Sequence, residues 1–230
     1  MDVLLVAATP FEVAPVLSHL ERDFQRTPDG CLVQGRLRVM PLITGVGAVP
    51  TAWHLGRLFV QYRPDWALHV GVAGAFDRSL ALGDVVQVVA DRFGDVGVEE
   101  ADGRFTDVFE LGLTHSNEPP FEEGWLRNVA AAEARFLPSV YGLTVNRVHG
   151  YGPNIEIIQK KYPQAQVETM ESAAFFYACL RAEVPFSEIR GISNYIEPRQ
   201  RDAWKLDLAI QRTGSVVVEM LALLAETNEQ

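Results

Sequence analysis

Basic residues are the scarce side of this chain: 20 Lys and Arg stand against 30 Asp and Glu, a formal charge of -10 at pH 7. That balance argues against a general nucleic-acid binder, which presents a basic face. A few local arginines would still suffice for a small anionic ligand. Cysteine is scarcer. Cys31 and Cys179 lie far apart and form neither a metal nor a disulfide pattern, so a reduced, cytoplasmic interior is expected, with Cys179 in the core. Long apolar runs are missing too. None approaches the roughly 20 residues of a membrane span, and Met1-Asp2-Val3-Leu4-Leu5-Val6 lacks the basic flank of a signal peptide. The histidines at 19, 54, 69, 115 and 149 have no metal-ligand spacing, and no Gly-x-Ser-x-Gly elbow marks a nucleophilic serine. No metal and no cofactor is expected.

What the chain does have is enough apolar material for one core. Its 230 residues are 48% hydrophobic and 22% charged, which fits a single domain over 1–230. Val3 to Ala8 reads as a buried strand that meets a helix near Pro10 or Phe11. Cys31 to Gln34 and Leu37 to Ile43 read as a strand pair, and Thr51 to Tyr62 as a helix. Trp66 to Val70 and Val85 to Ala90 are β-rich. Residues 92–123 read as a long loop with short elements, a length that is usually functional or mobile. The pattern then predicts a helix over Glu122 to Phe136, a strand over Val140 to Val145 and a helix over Ile155 to Tyr162. It continues with a helix over Ser172 to Ala182, a strand over Ile189 to Ser193 and a closing helix over Arg201 to Ala225. Strands alternating with helices imply an α/β sandwich of three layers around a mixed, mostly parallel, partly barrel-like sheet.

Several polar residues stand at element ends. Glu12 follows the first strand in Ala8-Thr9-Pro10-Phe11-Glu12; taken alone it suits the dipole of a first helical turn. Glu171 follows Met170 and opens a run of small and apolar residues, Ser172-Ala173-Ala174-Phe175-Phe176, that heads into the core. Ser193-Asn194 ends a β-branched strand, where Asn is also a common turn residue. Gly45-Val46-Gly47 and Gly71-Val72-Ala73-Gly74 read as turns after strands.

In order and spacing, these segments together resemble the nucleoside phosphorylase and nucleosidase superfamily. Within it the run Ser193-Asn194-Tyr195-Ile196-Glu197-Pro198-Arg199 is similar to that of the futalosine hydrolases, relatives of methylthioadenosine nucleosidase. The resemblance covers nearly the whole chain and implies a nucleoside phosphorylase-like fold, a small-molecule nucleoside substrate and a homo-oligomer. It implies cleavage of a purine N-glycosidic bond, which needs an activated water, a grip on the ribose and a donor for the base. Glu12 then activates the water. Glu171 accepts from the ribose 2′- and 3′-hydroxyls with Met170 against the sugar, and a carboxylate suits a diol because both hydroxyls can donate to it. The nucleosidases read Glu-Met-Glu here, so Thr169 occupies the place of the first Glu and Glu168 is displaced by one. Ala73, Gly74, Val148 and His149 border the nucleoside. Ser193 and Asn194 hold the base, and adenine-specific relatives carry Asp at the second position. An amide is no general acid, but it donates to N7 or to a 6-oxo oxygen, so hypoxanthine is the expected base.

Arg is the residue that pairs with a carboxylate in bidentate geometry, so Arg199 or Arg201 is the expected partner of the carboxylate on a futalosine tail. The stretch Ala67-Leu68-His69-Val70-Gly71 lacks the Arg that phosphorylases place there, which favours hydrolysis. The alternative is a phosphorylase or nucleosidase for inosine-like nucleosides.

Overall fold

The computed structural model describes residues 1–134 and 137–227. In chain order the elements are β1 (Asp2–Ala7), α1 (Pro10–Asp23), β2 (Gln25–Arg26), β3 (Leu32–Gln34), β4 (Leu37–Ile43), α2 (Ala48–Gln61), β5 (Trp66–Ala75) and β6 (Val85–Asp91). There follow β7 (Gly97–Glu99), β8 (Phe105–Asp107), β9 (Leu126–Arg127), α3 (Val129–Ala134), β10 (Ser139–Thr144), α4 (Gly152–Lys161), β11 (Val167–Thr169), α5 (Ser172–Ala182), β12 (Phe186–Tyr195) and α6 (Leu206–Thr227).

The main sheet runs β11-β10-β6-β12-β5-β1-β4-β3-β2, with β9 on β6. β1 lies parallel to β4 and β5, and β12 parallel to β5. β12 is antiparallel to β6, so the sheet is mixed. β11 pairs with β10 on one side and with the end of β5 on the other, which closes β11, β10, β6, β12 and β5 into a barrel. Alternation along β1 sorts the core. Val3, Leu5 and Ala7 pack with Val13, Val16 and Leu20 of α1 and Val217 and Leu221 of α6. Leu4 and Val6 turn the other way, toward Leu55 of α2 and Ala173, Phe175, Phe176 and Cys179 of α5. Helices therefore cover both faces, as a central, mostly parallel sheet requires.

Three stretches differ from the sequence reading. The helix expected over Glu122 to Phe136 is a bridge between Glu122 and Trp125, then β9, then the short α3; Phe136 lies outside the described residues. Glu123 (φ 53°) and Gly124 (φ 78°) are left-handed and cannot continue a right-handed helix. Asn128 then accepts from Ala131 N and donates to Phe186 O, so α3 starts there. The closing helix is also split. Arg201–Ala203 is a single 3-10 turn, Trp204 is extended, and Lys205 N donates to Ser193 O before α6 begins.

β5 runs straight through Gly71-Val72-Ala73-Gly74 instead of turning there. The glycines serve close approach: a Cβ at Gly71 would meet Arg190 Nη1 at 2.2 Å, and one at Gly74 would meet Ile196 Cδ1 at 2.3 Å. Finally, 201–225 is long and apolar enough, by length and composition, to cross a membrane. Yet it breaks at Trp204, and Ala209, Val217 and Leu221 of α6 are fully buried in the fold. The reading of 92–123 as a long loop with short elements agrees with the small β7–β8 hairpin.

Candidate active site

Four chain segments meet where β1, β5, β11 and β12 end: the first turn of α1, the Gly45–Gly47 turn, the β11–α5 junction and the end of β12. They enclose a cleft of about 460 Å³. Glu12, Ala73, Gly74, Val148, Thr169, Met170, Glu171, Ser193 and Asn194 all border it. A recess of about 40 Å³ opens beside it, sharing Gly74, Val148, Glu168 and Asn194 and adding His149 and Arg199. Arg199 is exposed, with its guanidinium 5.3 Å from the Trp204 ring, and it stands at the end of the site where Asn194 and His149 lie. Arg201 sits exposed on the 3-10 turn and borders neither cavity.

Glu12 is fixed from two sides. Thr9 N and Thr9 Oγ1 donate to its Oε2 at 2.9 and 2.8 Å, the capping arrangement of α1. Val72 N of β5 reaches its other oxygen at 3.3 Å. Glu171 is the N-cap of α5 and 5% exposed. Its Oε1 accepts from Gly47 N at 2.8 Å, and Gly47 has φ 100°, a conformation that favours glycine.

Ser193 Oγ lies 2.9 Å from Asn194 Oδ1 and 3.2 Å from Ala73 O. The amide oxygen of Asn194 is thus engaged by Ser193, while its NH2, which also reaches Tyr195 O at 3.1 Å, faces Gly74 at the cleft. Thr169 borders the cleft, but its hydroxyl points into the protein and donates to Ser172 Oγ at 2.6 Å.

The sequence reading passed over a buried cluster behind these residues. Arg190 is completely buried in β12, with Nε donating to Glu188 Oε1 at 2.7 Å and Nη2 near Ser172 Oγ and the His69 ring. Ser172 also donates to Glu188 Oε1, and His69 Nδ1 lies 3.2 Å from Glu188 Oε2. Burial opposes the charge on Arg190, but the carboxylates of Glu188, Glu171 and Glu12 overcome it and hold its pKa above the ordinary value. Burial likewise works against Glu188, yet Arg190 and His69 bring it down to about 2.

Among the described residues Nη1 of Arg190 has no hydrogen-bond partner. A Cβ at Gly71 would lie 2.2 Å from that Nη1 and 2.7 Å from Glu12 Oε1, so guanidinium and carboxylate both pack against the bare backbone of Gly71. The signal was in the sequence: Glu188 and Arg190 stand two apart on one face of an otherwise apolar strand, where unpaired charges do not survive. Among the described residues no group of His, Cys, Asp and Glu is placed to hold a metal ion.

Comparison with known proteins bears on the family and the fold. Futalosine hydrolase of Streptomyces coelicolor is 31% identical over 191 residues, 80% of this chain and 78% of that protein. The 5′-methylthioadenosine/S-adenosylhomocysteine nucleosidase of Geobacillus kaustophilus is 26% identical over 98% of this chain and 99% of that one. Among solved structures, the nucleosidase of the same name from Colwellia psychrerythraea, in complex with adenine, shares the fold with a TM-score of 0.73 at 23% identity, covering 96% of this chain and 95% of its own. Residues 2–225 match the Phosphorylase superfamily, and the chain belongs to that superfamily.

Proposed function

We propose that this enzyme is an N-ribosyl hydrolase that cleaves futalosine, releasing hypoxanthine and dehypoxanthine futalosine. The observation that carries the reading is the cleft itself, which Glu12, Met170 and Glu171 border together with Ser193 and Asn194. A water in that cleft donates a hydrogen bond to Glu12 Oε1, the oxygen that Thr9 leaves open. In the reaction the water's proton passes to Glu12, its oxygen bonds to C1′ of the ribose, and the C1′–N9 bond breaks. The electron pair leaves on the base, which takes up a proton from solvent and departs neutral, and Glu12 returns its proton to solvent. Glu171 holds the ribose hydroxyls beside Met170.

Support for a 6-oxopurine comes from Asn194. Its NH2 donates to N7 or O6 of a hypoxanthine that gathers negative charge, where an ionised Asp would repel it. An amide cannot supply the proton that adenine requires to leave, which weighs against methylthioadenosine as the main substrate. Of the two arginines considered for the tail carboxylate, Arg201 borders neither cavity, and Arg199 borders the recess at the base end of the site. We also propose that the protein works as a homodimer.

Phosphorolysis of inosine-like nucleosides is the second reading, because Arg190 Nη1 is a free donor to an anion. The carboxylates of Glu12, Glu171 and Glu188 all bear on that guanidinium, however, and those of Glu12 and Glu171 border the cleft and repel a phosphate dianion there. The deciding experiment incubates the enzyme with futalosine, inosine and methylthioadenosine, with and without phosphate, and follows free base. Rapid, phosphate-independent release of hypoxanthine from futalosine is expected. Release that requires phosphate, or that is fastest from methylthioadenosine, overturns the reading.

A further inference from the structure

Glu168, which stands one place before the position where related sequences carry the first Glu of their Glu-Met-Glu run, has a partner that gives it a task. Its side chain is fully buried, and both of its oxygens are taken by a single residue. His149 N donates to Oε2 at 2.9 Å and His149 Nδ1 lies 2.5 Å from Oε1. A carboxylate in this position only accepts, so the proton on the ring sits at Nδ1 and the tautomer is fixed. Two consequences follow for the recess. The backbone N–H of His149 is consumed and offers nothing to a ligand. Nε2 is left as a lone-pair acceptor, with no protein hydrogen bond among the described residues, on a side chain 16% exposed that borders the recess with Asn194.

We infer that the Glu168–His149 pair reads the Watson–Crick edge of the base: His149 Nε2 accepts the N1–H of a 6-oxopurine while Asn194 donates to its oxygen or N7. The acceptor and the donor side by side match hypoxanthine, which has N1–H and O6. They mismatch adenine, whose N1 accepts and whose 6-amino group donates. Glu168 is the positioning residue, and His149 is the one that touches the base. The inference rests on the 6-oxopurine reading above and extends it from Asn194 to two further residues that border the same recess.

Glu168→Gln gives the sharpest test. An amide satisfies both His149 groups only if its oxygen takes the backbone N–H and its NH2 donates to Nδ1. That arrangement moves the ring proton to Nε2 and turns the acceptor into a donor. Titration calorimetry with free hypoxanthine and free adenine reads the effect without any turnover. The wild type is expected to prefer hypoxanthine, and His149→Ala to weaken hypoxanthine roughly tenfold, the scale of one hydrogen bond, with adenine nearly unchanged. Glu168→Gln is expected to narrow or reverse the preference.

Nitrogen-15 NMR of histidine-labelled wild type provides a check that needs no variant: His149 should carry its proton on Nδ1. A wild-type ring protonated at Nε2 alone, or equal losses for both bases in His149→Ala, overturns the inference, even where Glu168→Gln fails to fold. Failure of the wild type to release base from futalosine would instead sink the substrate reading, and the two bases would still rank the recess.

Discussion

Glu12 holds a helix end and faces a reaction centre with the same carboxylate. Its Oε2 is occupied by Thr9 N and Oγ1, while Oε1 has only a long contact from Val72 N and looks toward Arg190. One oxygen fixes orientation and the other remains able to take a proton. Glu12→Gln preserves the size and the capping oxygen but cannot accept the water's proton. It should leave the affinity for nucleoside within about twofold and lower kcat by about 10² to 10⁴, the range for loss of a general base. Steady-state kinetics with futalosine, paired with binding of hypoxanthine, measures both. A variant with near-normal kcat removes Glu12 from the chemistry. The residue's position after the first strand was legible in the sequence, and so was its place in a first helical turn. Its juxtaposition with Arg190 was not, because β12 reaches β5 only through the sheet order.

Between elements, the buried polar residues form one chain of contacts. Asp91 at the end of β6 accepts from Thr144 Oγ1 of β10 at 2.7 Å, and Thr144 Oγ1 receives Ala173 N at the start of α5. Thr144 Oγ1 also lies 3.3 Å from Thr169 Oγ1 of β11, which leads through Ser172 to Glu188 and Arg190 on β12. The chain ties the strands that close the barrel to the helix that carries Glu171. Burial, with help from the charge on Glu188, raises the carboxyl pKa of Asp91 well above the usual value, and its Oδ2 has no partner among the described residues.

The sign of the linkage follows. A native Asp91 that keeps its proton binds more protons than the unfolded chain above about pH 4, so its contribution to stability declines as pH rises from there toward its native pKa. Asp91→Asn keeps an oxygen for Thr144 and has no proton to lose. Its melting temperature relative to wild type should therefore rise with pH between about 4 and 8. Parallel curves over that range would mean that Asp91 is not held protonated.

Elements whose pattern is complete in themselves, such as β1, α1 and α5, were readable from sequence. The 122–136 stretch was not, since its helical spacing of apolar residues is overridden by left-handed Glu123 and Gly124 and by pairing of β9 with β6.

On the scale of the whole molecule, one face is left without cover. α2 and α5 form a groove of about 620 Å³ whose walls include Val49, Ala52, Phe59, Val60 and Tyr177. Val60 is 87% exposed, Val49 77% and nearby Trp53 65%, a concentration of apolar surface that marks an interaction site. Both helices that form the groove begin at the active site: Gly47, which holds Glu171, precedes α2, and Glu171 caps α5. A second copy related by a twofold axis is the occupant we propose, because a self-complementary apolar face closes with one partner and leaves no open edge. Covering it would also shield the exposed rim of the cleft at Val46.

Light scattering behind size-exclusion chromatography should therefore report twice the 25.5 kDa chain mass. Val60→Glu, which buries an unpaired charge in each half of such an interface, should shift the protein to the monomer at micromolar concentration. Its KM for futalosine should rise at least several-fold while its far-ultraviolet circular dichroism stays unchanged. A wild-type protein that runs as a monomer at high micromolar concentration would leave this face to some other partner and remove the dimer from the proposal.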